Sequence, residues 1–208
     1  MFNFPDQYSS PTSIVNVKNF LDLKEINDLL KFIKALPYTQ GTVKNSSKFR
    51  ETVRSSNIKW VPHSHEFKWL YHKCIAIISE HNSYTWKFDL KGTPELFQYT
   101  EYDAKQRGQY NWHVDTGSTQ TSHRKISITI QLSDPSEYEG GYLQLFNTAE
   151  NDFSLYESSL KNPYYIKSIK KERGMITIFP SFMPHRVTPV TKGIRRSLVL
   201  WVGGCPFR

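Results

Sequence analysis

Apolar residues recur at helical spacing in two stretches near the N-terminus, then at alternate positions from about residue 85 onward. Leu23, Ile26, Leu29, Leu30, Ile33 and Leu36 follow the i, i+3, i+4 pattern of one helix face. Asp22 with Glu25 three residues on forms a capping box at its start. Pro37 closes it, because proline cannot carry a helix on. A second helix is predicted over about 65–81, with Phe67, Leu70, Tyr71, Cys74, Ile75 and Ile78 on one face and Asn82 near its end. Both helices read as braces packed on a sheet.

The period then changes to two, and strands are predicted over 85–89, 95–102, 109–114, 125–132, 142–146, 164–169, 175–179, 186–190 and 196–202. Ile126, Ile128 and Ile130 alternate with Ser127, Thr129 and Gln131, which separates an apolar face from a polar one. Glu139-Gly-Gly-Tyr142 and Glu172-Arg-Gly-Met175 read as turns. Two helices followed by a run of antiparallel strands predict an α+β fold with a double-stranded β-helix (jelly-roll) core. The chain is expected to be a single domain over 1–208, with 1–84 mostly helical support and 85–208 the jelly-roll core. Such a core brings the ends of distant strands together.

Composition adds limits. Charged residues make up 22% and hydrophobic ones 38% of the 208 residues, which is the balance of a folded protein rather than a disordered one. No stretch is long and apolar enough for a membrane span. The opening Met1-Phe-Asn-Phe-Pro-Asp6 lacks the basic and apolar parts of a secretory signal, so a cytoplasmic location is expected. The two cysteines, Cys74 and Cys205, allow at most one disulfide, and Cys74 in its apolar pattern reads as a buried free thiol. A net charge of +8 favours an acidic partner or nucleic acid, but the basic residues are scattered and read as a solvated face. Nucleic acid is therefore not the expected partner.

Candidate chemistry rests on three residues. His113 and Asp115 stand two apart in Trp112-His-Val-Asp115, so on an extended segment they point to one side. Alone, the tripeptide fits either two metal ligands or a histidine hydrogen-bonded to its neighbour. His185 in Pro184-His-Arg-Val187 completes the two-histidine, one-carboxylate set of non-haem Fe(II) sites, which leaves positions open for substrate and O2. Arg195, ten residues further, is spaced to hold the carboxylate of a keto-acid co-substrate; a surface ion pair is the alternative, and one that suits Arg196. On a strand these two arginines face opposite ways. His63, His65, His72, His81 and His123 show no second ligand set.

From Arg54 onward the chain resembles the Fe(II)- and 2-oxoglutarate-dependent dioxygenases of the prolyl 4-hydroxylase-like superfamily, and in wording their PKHD-type branch. The resemblance is carried by Gln109-Tyr-Asn-Trp-His-Val-Asp115, Arg124-Lys-Ile-Ser127, Gln131-Leu-Ser-Asp-Pro135, Tyr138-Glu-Gly-Gly-Tyr-Leu143, Phe179-Pro-Ser181 and the segment His185 to Arg195. It implies that His113, Asp115 and His185 hold Fe(II) and that Arg195 binds the distal carboxylate of 2-oxoglutarate. A planar, permanently charged guanidinium suits that task. It further implies co-substrate contacts for Tyr102 and Tyr110, and a pocket position for Gln131 and Leu143, where packing alone is the alternative. Tyr102 lies two residues further from the histidine than in the family pattern. Arg54 and Trp60 repeat an Arg and Trp six apart on the family's substrate side, so Arg54 is expected either to face the substrate or to make a structural ion pair.

The implied reaction hydroxylates a C–H bond with O2 and releases succinate and CO2, with ascorbate as a supporting reductant. The implied substrate is a peptidyl proline on a protein or peptide. The same chemistry on a small molecule, lipid, free amino acid or nucleobase is the second reading, and a non-catalytic jelly-roll binding module the third. The chain ends soon after the last predicted strand, at Gly203-Gly-Cys-Pro-Phe-Arg208, which suggests a compact, stand-alone bacterial or phage-encoded form without the C-terminal extension of PKHD-type proteins. Neither the oligomeric state nor the substrate's identity is encoded in any motif.

Overall fold

A computed structural model describes residues 13–40, 53–146 and 166–206. Its helices are α1 (Leu23–Ala35) and α2 (His65–Tyr84). The strands before residue 100 begin with β1 (Val15–Val17), β2 (Thr39–Gln40), β3 (Arg54–Ser55), β4 (Asn57–Val61) and β5 (Leu90–Gly92). Then come β6 (Phe97–Asp103), β7 (Gln109–His113), β8 (Arg124–Gln131), β9 (Tyr138–Gly140) and β10 (Leu143–Phe146). The last are β11 (Ile166–Ser168), β12 (Ile176–Pro180), β13 (His185–Val187) and β14 (Val190–Gly204).

The larger sheet runs β1-β12-β8-β14-β6-β4-β2, with β5 and β9 paired to opposite ends of β14. The smaller one runs β11-β10-β13-β7-β3. The strands pair antiparallel, and the two sheets make the jelly roll.

The apolar face of β8 lies under the helices. Ile126, Ile128 and Ile130 pack with Ile176, Ile178, Leu198 and Leu200, and with Ile26, Leu29 and Ile33 of α1 and Leu70, Cys74 and Ile78 of α2, in one buried cluster. Asp22 caps α1 as expected: its carboxylate accepts from the Glu25 N–H at 2.7 Å while Glu25 accepts from the Asp22 N–H at 2.9 Å. The outer ends of both helical stripes are more open than their spacing predicts, with Leu23 61% and Ile75 41% exposed. Cys74 is a buried free thiol whose pKa burial raises, and Cys205 is exposed and free. Among the described residues no helix is long and apolar enough to cross a membrane.

Three expectations need correction. The described part of the region before residue 85 is not helical support alone: β4 pairs with β6 in the larger sheet and β3 with β7 in the smaller, so support and core interleave. β3 is short and polar, while β4 buries Ile58 and Val61, and both take their ladder hydrogen bonds from neighbouring strands. The strand predicted at 85–89 is displaced to β5. Asn82 accepts from the Phe88 N–H at 3.0 Å and donates to its carbonyl at 2.9 Å, which occupies the backbone groups a ladder would need. Finally, 186–190 and 196–202 are not two strands of that outline: β13 is short and β14 is one fifteen-residue strand. Gly193 lets β14 run on at φ +70°, where a Cβ would lie 2.0 Å from the Glu137 carbonyl oxygen. The predicted strand at 164–169 is present from Ile166; 164 and 165 lie outside the described residues.

Candidate metal and co-substrate site

Antiparallel pairing of β7 with β13 makes His113 and His185 direct cross-strand partners. Their ring centroids are 4.1 Å apart. Asp115 follows just beyond β7, its carboxylate 3.7 Å from Nε2 of His113 and 3.4 Å from Nε2 of His185. The three donor atoms lie within 4.8 Å of one another, close enough to share one ion.

The backbone selects which ring nitrogen faces that point. Nδ1 of His113 is 2.8 Å from the Asn111 carbonyl oxygen, and Nδ1 of His185 is 3.0 Å from that of Met183. A carbonyl only accepts, so each Nδ1 carries the proton and each Nε2 presents a lone pair. Burial, reinforced by the adjacent His185, holds the His113 pKa below its ordinary value, so its ring stays neutral. Burial pushes the Asp115 carboxyl up, but His185, His113 and the Ser127 hydroxyl outweigh it, and the net pKa is lowered. Two imidazoles and one carboxylate are the donor set that suits Fe(II).

The carboxylate is also held from behind. Ser127 Oγ donates to Asp115 at 2.7 Å and sits 2.9 Å from Ser181 Oγ. The Ser181 carbonyl accepts from the N–H of Asp115 at 2.9 Å. Arg124 donates to the Asp115 carbonyl at 3.2 Å, pairs its guanidinium with Glu95, and lies 3.7 Å over the Trp201 ring. The buried Trp201 N–H faces Asp115 and lowers its pKa without reaching hydrogen-bond geometry.

Tyr110 precedes His113 by three residues, yet it stacks on that ring at 3.4 Å and 14°. A register shift between His185 and Val187 explains this: the bulge turns both side chains to one face. The Arg54 guanidinium also lies over the Tyr110 ring, 4.8 Å from its centroid. It is tethered through Nη2 to Gln98 at 2.6 Å and Nε to Ser56 at 2.8 Å, and makes no ion pair among the described residues. The structural ion pair, the alternative for Arg54, is therefore absent there.

Arg195 and Arg196 face opposite ways as expected. Arg196 pairs with Glu101 at 3.3 Å. Arg195 is buried, donates to Ser197 Oγ at 3.0 Å, and has no acidic partner among the described residues. It lines a narrow cleft with Gln131, Leu143, Tyr138, Thr129 and Thr177. Gln131 donates to the Tyr138 hydroxyl at 3.0 Å. Tyr102 is the cross-strand partner of Arg195, its ring 5.5 Å from the guanidinium. The extra residues after Tyr102 form a 3-10 turn, Ala104–Gln106, and the chain re-enters at Gly108, where a Cβ would meet Asp103 N at 2.6 Å. The insertion is thus looped out, and Tyr102 keeps its place inside. A buried cation without a carboxylate suits an anionic ligand such as 2-oxoglutarate.

Sequence reasoning missed Arg124, Glu95, Ser181 and Trp201 as parts of this site. Ser181 carried a signal, since it ends the Phe179-Pro-Ser181 phrase; Glu95 carried none.

The profile of the 2OG-Fe(II) oxygenase superfamily matches residues 97–203. The chain belongs to that superfamily. Within it, the chain is 32% identical over 101 residues to a PKHD-type hydroxylase of Acidovorax ebreus, covering 46% of this chain and 38% of the relative. A PKHD-type hydroxylase of a Synechococcus strain is 36% identical over 93 residues, 45% of this chain and 35% of its own. The chain thus matches less than half the length of these curated relatives. Two solved structures share the fold of this oxygenase: a Pseudomonas putida prolyl-4-hydroxylase (TM-score 0.66, 16% identity, 92% of both chains) and a Trichoplax adhaerens prolyl hydroxylase bound to a hypoxia inducible factor peptide fragment (TM-score 0.69, 18% identity, 91% of this chain and 83% of that one).

Proposed function

We propose that this oxygenase is a prolyl hydroxylase-type enzyme that uses Fe(II), 2-oxoglutarate and O2 to hydroxylate a peptidyl proline, with residues 1–208 acting as one catalytic domain. The observation that carries the reading is the convergence of two Nε2 lone pairs and one carboxylate on a single point. His113, Asp115 and His185 hold the metal. When bound, the iron supplies the O2 chemistry that couples decarboxylation of 2-oxoglutarate to hydroxylation of the C–H bond.

The chain's own groups prepare that site. The Asn111 and Met183 carbonyls keep both imidazoles in the ligating tautomer. Ser127 orients the Asp115 carboxylate, and Arg124 anchors its backbone. Arg195 receives the distal carboxylate of the co-substrate, with Gln131 and Leu143 lining the cleft. Tyr102 and Tyr110 wall the space between that cleft and the metal. Arg54, held over Tyr110, faces the entering substrate, where its free donors suit a peptide carbonyl. The peptide in the Trichoplax neighbour supports a peptide substrate by analogy of fold alone.

The test is succinate formation by anaerobically reconstituted protein given Fe(II), 2-oxoglutarate and ascorbate and then exposed to O2. Succinate that requires iron, disappears in His113→Ala and rises with a proline-containing peptide is the expected result. Stimulation by a small molecule but by no peptide would move the substrate to the second reading. Absence of iron and 2-oxoglutarate binding would leave a binding module.

A further inference from the structure

The co-substrate cleft contains a cation that neither the metal centre nor Arg195 needs. Lys171, on the segment between β11 and β12, lines the same cleft as Arg195. A lysine stem has four rotatable bonds and ordinarily carries its ammonium into water. Here Nζ is kept 4.2 Å from the ring centroid of Tyr138 and 4.2 Å from that of Tyr142. The two rings hold the charge at the rim by cation–π attraction. Tyr138 is shared: its hydroxyl receives Gln131, and its ring edge lies against the backbone of Gly141, beside Arg195.

Lys170 also lines the cleft but pairs with Glu172 at 3.9 Å. Lys171 and Arg195 repel each other in this partly desolvated space, and burial together with Arg195 lowers the Lys171 pKa. The described lining of the cleft contains no Asp or Glu to offset them. Glu139 is near enough to favour the charged lysine, but its carboxylate is engaged by Lys192 at 3.1 Å. The arrangement is therefore short of negative charge by design of its lining, and an anion entering between the cations relieves that repulsion.

We infer that Lys171 is a second cation for the distal carboxylate of the co-substrate, set at the outer end of the cleft while Arg195 grips from within. This rests on the reading of the Arg195 cleft as the 2-oxoglutarate pocket. The guanidinium offers a directional fork to one carboxylate edge, and the ammonium offers a point charge to the outer oxygen. Together they make the cleft selective for keto acids with a second carboxylate. Because Lys171 stands at the rim, its share is the more sensitive to salt.

The test is anaerobic calorimetric titration of the iron-loaded protein with 2-oxoglutarate and with 2-oxopentanoate, which carries a methyl group where the distal carboxylate stands. K171M is expected to weaken 2-oxoglutarate binding about three- to tenfold, to reduce its salt dependence, and to leave 2-oxopentanoate unchanged. K171R, which keeps the charge, is expected to bind like the parent. Parental binding of 2-oxoglutarate by K171M, or equal losses for both keto acids, would overturn the assignment. R195M separates the two readings: if it is impaired while K171M is not, only the role of Lys171 falls. If R195M binds like the parent, the co-substrate cleft itself is misplaced.

Discussion

The two faces of β8 carry alternate residues of one strand, yet they do different work. Ile126, Ile128 and Ile130 lie in the cluster under α1 and α2 and are 0–1% exposed. Ser127, Thr129 and Gln131 point into the jelly roll, toward the Asp115 carboxylate, the cleft and Tyr138 respectively. Their cross-strand neighbours on that inner face are mixed, polar and apolar. Gln131 faces Ser197, Thr129 faces Val199 and Thr177, and Ser127 faces Trp201 and Phe179. In a half-solvated sheet a polar face meets water. Here the polar positions of β8 line the wall of the candidate site, and its apolar face meets the supporting helices.

That division predicts separable effects, and the largest lies inside. His185→Ala removes a donor that no neighbour replaces, so iron binding by equilibrium dialysis should be lost while the fold, read by circular dichroism, persists. Retained stoichiometric iron would break the assignment of the interior as a metal site. On the opposite face, Ile128→Ala should destabilise by about 2–5 kcal/mol in denaturant titration, with iron affinity of the folded fraction unchanged. A comparable loss of iron affinity would mean that the two faces are mechanically one.

Positioning groups should fall between these extremes. Arg124→Met leaves the three donors but frees the Asp115 backbone, and iron affinity is expected to drop about 10- to 100-fold. A drop of the same size in Glu95→Gln would extend the buttress to the ion pair; parental affinity in both would confine the site to its ligands.

The smallest effect is a pH dependence of the metal-free protein. His113 is held below its ordinary pKa of 6.5 by burial first. Below that value the unfolded chain takes up a proton that the folded chain resists, so stability is full above 6.5 and falls as pH drops. The denaturation midpoint should be lower at about pH 5.5 than at about pH 7.5, and His113→Asn should flatten that slope.

Much of the site was legible in local spacing. His113 and Asp115 two apart, His185, and Arg195 against Arg196 each occupy the position their pattern predicts. The capping box at Asp22 and the turns at Gly140–Gly141 and Gly174 were equally legible, since each depends on adjacent residues. The early strands were not, because Arg54–Ser55 carries no alternation and is a strand only where Tyr110 and Gln109 accept it. Nor was the Tyr110–His113 stack, which contradicts the two-residue period and needs a bulge against β13.

The sequence alone determined the helical stripes, the alternation of β8, the identity of the three candidate metal donors and the presence of a second arginine beside Arg196. These are properties of chemistry and near-neighbour geometry. Tertiary structure alone decided which ring nitrogen each histidine presents, that Asn82 ends a would-be strand, and that Glu95, Arg124 and Trp201 meet behind Asp115. It also decided that Lys171 shares a cleft with Arg195, 24 positions away in the chain. Such meetings depend on long-range register, and register is set by the packing of both faces at once rather than by any segment read in isolation.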